Sequence, residues 1–107
     1  MNNQSAVTAL SAIAQESRLV IFRLLVEAGA EGLSAGKISE QTQIAPSALS
    51  FHLKELTYAG MVTARQEGRF IYYSANFTAM NELLAFLTAN CCGGESCLAA
   101  TQTCTTA

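Results

Sequence analysis

The run Ala45-Pro-Ser-Ala-Leu-Ser-Phe-His-Leu-Lys-Glu-Leu-Thr-Tyr-Ala-Gly60 constrains the fold more than any other stretch. Pro46 suits the first turn of a helix, where its missing N–H leaves no bond unmade. Leu49, Leu53 and Leu56 fall at i, i+4 and i+7, a single apolar face. Gly60 can take the left-handed conformation that closes the helix. The opposite side carries Ser47, Ala48, Ser50, Phe51 and Lys54. It is small, polar and lightly charged, as a helix entering a major groove must be. An ordinary amphipathic surface helix would carry the same pattern, so its neighbours decide between the two.

Upstream, residues 4–14 set Val7, Leu10, Ile13 and Ala14 on one stripe of a first helix. Residues 17–28 are apolar nearly all round, which predicts a buried central helix with Ser17 as its cap and Gly29 as its stop. Ser34 can cap a short helix near 35–42, seated on the core by Leu33, Ile38 and Ile44. A short turn then leads into the 46–59 helix, and the pair reads as a helix-turn-helix. Downstream, Met61–Gln66 and Arg69–Ser74 are rich in β-branched and aromatic residues around Glu67-Gly68, which predicts a hairpin. A hairpin in that place is a wing, and Arg65 and Arg69 bracket its tip. A surface hairpin with two solvated arginines is the plainer alternative.

Asn76 can cap a last helix running to about residue 90, with Phe77, Met80, Leu83, Leu84 and Leu87 along one side. A terminal helix this apolar in so short a chain is expected to pack on a symmetry mate, together with the first helix. The predicted fold is mainly α with a small β-hairpin: a winged helix-turn-helix that dimerises through its first and last helices. Residues 1–92 form the DNA-binding and dimerisation domain. Residues 93–107 form a flexible cysteine-containing tail.

Net charge is −2, which at first argues against nucleic acid. The distribution matters more than the sum. Lys37, Lys54, Arg65 and Arg69 all lie between residues 33 and 70, and nothing basic follows. The expected DNA contacts are Lys37, Ser47, Ala48, Ser50, Phe51, Lys54, Arg65 and Arg69. With so few cations, affinity must come from two copies acting together on double-stranded DNA. No apolar run is long enough to span a membrane and no basic, signal-like leader is present, so a cytoplasmic protein is expected. An enzyme is not expected: no Ser/His/Asp set, phosphate loop or paired carboxylates stand out. His52, the single histidine, reads as a packed residue with a local hydrogen bond before it reads as a ligand.

Arg18-Leu19, Ser50-Phe-His-Leu-Lys-Glu-Leu, Ala59-Gly-Met-Val and Glu67-Gly-Arg-Phe-Ile-Tyr-Tyr together resemble the ArsR–SmtB family of small winged-helix repressors that sense metals and metalloids. The resemblance covers roughly residues 7–90. It implies a homodimer, operator DNA as partner, and release of DNA when an inducer binds. Two features depart from the family pattern. Gln15-Glu16 stand where Asp-Pro is common, which would let the first two helices run together. Ala45-Pro46 stand where a Ser or Thr usually caps the recognition helix.

The family's sensor sites include cysteines in the helix before the recognition helix, and zinc ligands along the last helix. Residues 36–43 hold no cysteine, and the last helix holds no histidine or aspartate. What remains is Asn90-Cys-Cys-Gly-Gly-Glu-Ser-Cys97, with Cys104 beyond. Soft thiolates select soft ions. Trivalent arsenic takes three sulfurs in a pyramid, and Gly93-Gly94 would let Cys97 fold back over Cys91 and Cys92. A four-cysteine zinc site usually pairs its ligands two to four apart, which this spacing does not. A helix C-terminus with Glu95 nearby disfavours the thiolates that a redox switch needs. The resemblance adds that some members sense arsenite through such a cluster. As(III), or Sb(III), is therefore the expected inducer, held by Cys91, Cys92 and Cys97, with Cys104 a possible extra thiol. Another soft metal, a methylated arsenical, thiol oxidation, and a constitutive DNA- or protein-binding module stay open.

Overall fold

In a computed structural model of the chain, which describes residues 1–90 and Gly93, five helices accompany a small sheet whose outer end is exposed. Helix α1 spans Asn3–Ile13 and opens on a capping box, Asn2 and Ser5 each accepting from the other's backbone N–H. Its buried residues are Ala6, Ala9 and Ala12, whereas Val7 is 60% exposed and Leu10 38%. The expected stripe of Val7 and Leu10 is thus the outer face. Three alanines at threefold spacing let α1 lie close on its neighbours α2, α4 and α5, where larger side chains would hold it off.

The first two helices do not run together. Ala14 leaves the helical region at φ −86°, ψ 44°, and Gln15 is extended at φ −143°. Helix α2 then covers Glu16–Ala28, so Ser17 lies inside it and Gln15 is the cap residue, without a side-chain bond. The Gln15 carbonyl accepts the Leu19 N–H, and Glu16 places a negative charge at the positive end of the helix. Nor is α2 buried all round. It inserts Ile21, Phe22 and Leu25, and leaves Leu19 and Val20 nearly half exposed.

Gly29 stops α2, and a 3₁₀ turn over Gly29–Glu31 leads to Leu33–Ser34, a two-residue strand β1 too short to leave an alternation pattern in the sequence. Ser34 caps helix α3, Ala35–Thr42, accepting from the Lys37 N–H. The turn after α3 is closed by side chains. Gln43 is left-handed at φ 64°, the Ser39 hydroxyl donates to the Ile44 carbonyl at 2.6 Å, and Thr42 Oγ1 accepts from the Ile44 N–H at 3.3 Å. These bonds aim helix α4, Pro46–Tyr58, which has Pro46 in its first turn.

Strands β2, Val62–Glu67, and β3, Phe70–Ala75, form the wing in the register Val62 to Ala75 and Glu67 to Phe70. The sheet order is β1-β3-β2, all antiparallel. Asn76 ties three elements together. Its N–H donates to the Met61 carbonyl, its side-chain N–H to the Gly60 carbonyl, and its Oδ1 caps helix α5, Phe77–Thr88. The core is one cluster of Ile21, Phe22, Leu25, Ile38, Leu49, Leu53, Leu56, Met61, Val62 and Leu83 with four alanines. Along α5 the expected apolar side divides. Leu83 is buried, Phe77 and Met80 pack against the core, and Leu84 and Leu87 are more than half exposed.

Gly32 makes β1 possible. It sits at φ 73°, ψ −168°, a region open essentially to glycine, and an added Cβ would overlap the Tyr73 carbonyl oxygen and Ser74 Oγ. Gly29 shares that backbone region at φ 78°, ψ −162°, but faces open space. Chemical denaturation should therefore rank two variants. Gly29→Ala pays backbone strain of about 1–3 kcal/mol, and Gly32→Ala should be clearly worse because it also displaces β3. Equal losses would mean that the close approach contributes nothing.

Candidate nucleic-acid interface

Burial of Leu49, Leu53 and Leu56 fixes how α4 is rotated. The row Ser47, Phe51, Lys54 and Tyr58, spaced i, i+4, i+7 and i+11, then points outward, and all four are exposed. Phe51 is 55% exposed and Tyr58 89%. Ala48 is also exposed. Ser50, Lys54, Thr57 and Tyr58 line a groove between α4 and the sheet, closed on the far side by Ala64 and Tyr73. On its other flank α4 borders a second groove, shared by Arg18, Glu55, Tyr58 and the α1 residues Val7, Thr8 and Ser11.

The cations of the expected interface differ in how free they are. Lys37 lies 3.6 Å from Glu40, an exposed pair of small energetic weight. Arg65 is more firmly tied. Its Nε donates to Glu67 at 2.8 Å, its Nη2 to the Glu31 carbonyl at 3.1 Å, and its guanidinium lies 5.4 Å from the centre of the Tyr72 ring. It is part of the wing's scaffold. Arg69, in the turn between β2 and β3, and Lys54 have no carboxylate within 4.0 Å among the described residues.

His52 is half-buried and accepts the Arg18 Nε–H at Nδ1, 3.2 Å away, linking α4 to α2. The histidine is partly buried, near the packed residue that the sequence suggests, but its bond reaches another helix and is not local. Composition alone does not reveal Arg18, which lies outside the basic stretch between 33 and 70 and reaches α4 from another helix.

Among the described residues no group of three His, Cys, Asp or Glu side chains is arranged to hold a metal. Cys91, Cys92, Cys97 and Cys104 lie outside the described residues. Helix α5 stops at Thr88, and Asn90, at φ 57°, directly precedes Cys91. Among the described residues no helix is long and apolar enough to cross a membrane.

Comparison with known proteins agrees with this geometry. Residues 13–65 match a helix-turn-helix domain family. The chain is 34% identical over 86 residues to the transcriptional activator HlyU of Vibrio cholerae, covering 80% of this chain and 77% of HlyU. The HlyU structure superposes with a TM-score of 0.64 at 36% identity, over 81% of this chain and 97% of that one. An ArsR-like transcriptional regulator from Rhodococcus has the same fold, with a TM-score of 0.74 over 94% of this chain and 92% of its own at 24% identity. A Halobacterium salinarum protein named for repression of an arsenical resistance operon is 40% identical over 70 residues, 65% of this chain and 54% of that one.

If the outward row of α4 and the wing tip face a duplex, Lys54 and Arg69 meet phosphates. The double variant Lys54→Ala, Arg69→Ala should flatten the dependence of log K on log salt by about two contacts per protomer. An unchanged slope would remove these two residues from the interface.

Proposed function

This chain belongs to the ArsR family of winged-helix transcriptional regulators, and from that premise we propose that it is a metalloid-responsive repressor. It binds operator DNA as a homodimer and leaves it when As(III), or Sb(III), is held by Cys91, Cys92 and Cys97. The observation that carries this reading is the position of α5. Leu84 and Leu87 point away from the core on the helix that runs, two residues past its end, into Cys91. Val7 and Leu10 point outward on α1, which packs against α5. Exposed apolar residues on two adjoining helices suit a twofold interface.

The donor set fits the inducer. Arsenous acid is a neutral tris-hydroxide at neutral pH, and its three oxygens can be exchanged for sulfur. The thiols of Cys91, Cys92 and Cys97 would each give up a proton, form a bond to arsenic and release one water, with no change of oxidation state. Three sulfurs are consumed, so Cys104 is not required. The Halobacterium relative's name supports arsenic over other soft ions.

Holding the three cysteines together would restrain the chain where it leaves α5. Because α5 is part of the proposed interface, that restraint would alter the angle between subunits and the separation of the two α4 helices. Two recognition helices must lie about 34 Å apart to enter successive major grooves, so a small change in that angle weakens binding. Linkage then requires DNA to weaken arsenic binding by the same factor, typically about 1–3 kcal/mol.

The test is fluorescence anisotropy with duplex DNA selected by the protein from a random pool, at one fixed salt concentration. Arsenite should lower affinity roughly 5–150-fold, the range of that coupling. Cys91→Ser should abolish the response and Cys104→Ser should retain it. An affinity that ignores arsenite but falls on mild thiol oxidation would replace this reading with a redox one.

A further inference from the structure

We propose that Arg18 is a DNA-backbone contact, held beside the recognition helix by Phe51 and His52. The inference rests on the reading of α4 as the helix that enters the major groove.

The chain has six lysines and arginines, and ion pairs engage three of them, Arg23, Lys37 and Arg65. Lys54 and Arg69 are two of the remaining three, and Arg18 is the third. It lies in the first turn of α2, far from the basic stretch in sequence, yet it reaches α4. Its Nε donates to His52 Nδ1 at 3.2 Å, and its guanidinium carbon lies 5.5 Å from the centre of the Phe51 ring. Phe51 belongs to the outward row of α4, so this contact draws the guanidinium toward the exposed side. Glu55 borders the same groove but is not within 4.0 Å of it.

One N–H of Arg18 is used in the bond to His52, and the Nη groups have no hydrogen-bond partner among the described residues. A tie between helices would need a donor but not a charge. No side-chain nitrogen is buried without a partner among the described residues, so the Nη groups meet solvent and are free to meet an incoming anion. Its planar fork of donors matches a phosphate.

The flank on which Arg18 lies strengthens the assignment. Lys54 lines the groove between α4 and the sheet, and Arg69 stands at the tip of that sheet's hairpin. Arg18 lines the groove between α4 and α1, on the opposite side. A helix seated in a major groove has a phosphate strand on each side. The three cations without an ion pair among the described residues are therefore distributed as those two strands require. His52 and Phe51 are positioning residues: His52 supplies the acceptor, and Phe51 the ring face against which the guanidinium lies.

The experiment follows binding of the full-length chain to a fluorescein-labelled mixed-sequence duplex over a KCl series. Three cations per protomer predict a slope of log K against log salt of about −5 for a dimer. Arg18→Gln should make it shallower by about two. Arg18→Lys, which keeps the charge without the Nε bond, should keep the wild-type slope and shows that the fold survives. His52→Leu should lower affinity at unchanged slope. His52→Asn, whose amide oxygen can stand in for Nδ1, should restore it. Arg18→Gln with a wild-type slope, or Arg18→Lys as shallow as Arg18→Gln, overturns the assignment while leaving the reading of α4 intact. A wild-type chain with no salt-dependent binding overturns both.

Discussion

Leu49, Leu53 and Leu56 are each at most 2% exposed, and they meet Ile21, Leu25 and Ile38 in one cluster. Each such burial stabilises the fold by about 1.5–3 kcal/mol. Its larger consequence is geometric. A helix with one face sealed into a close-packed core cannot roll, so the residues opposite are presented at a fixed angle. Everything assigned to α4 depends on that. The outward row of Ser47, Phe51, Lys54 and Tyr58 exists because the leucines hold the other side. The α3–α4 turn adds a second restraint through Ser39, Thr42 and the left-handed Gln43.

A complementary constraint acts on α1 and α5. The buried face of α1 is made of alanines, so the helix lies close to its neighbours while its larger residues look outward. On α5 only part of the apolar surface is taken up by the subunit's own core. The remainder, Leu84 and Leu87, belongs to the same chain terminus that leads to the cysteines. Under the proposed function, dimer formation would fall on α5 and inducer binding on cysteines that follow it in sequence, which would give a short path from sulfur chemistry to the spacing of two reading helices.

Much of this was legible in the residue order. Pro46, the leucine spacing and Gly60 define α4, Ser34 and Asn76 cap their helices as expected, and Glu67-Gly68 marks the hairpin. The apolar stripe of the first helix does not by itself tell which residues face inward. In a tight helix pair the small ones do, and the large ones are left for another surface. The break at Ala14-Gln15 carries no glycine or proline to announce it. β1 depends on the absence of a side chain at Gly32, a contact made only once β3 is beside it. That Arg65 has a carboxylate partner, and Arg18 none among the described residues, is hidden for a similar reason. Sequence position says which cations are present, but only the fold says which of them already have a carboxylate.

An acidic chain with six lysines and arginines per copy can hold DNA with useful strength only if two copies bind in register. The most direct measurement is hydroxyl-radical footprinting on duplexes that the protein itself selects from a random pool. A homodimeric reader should select a twofold-symmetric sequence with protected patches on successive turns of one face, centred about 10 base pairs apart. A single unsymmetrical patch, or no selection at all, would contradict that expectation.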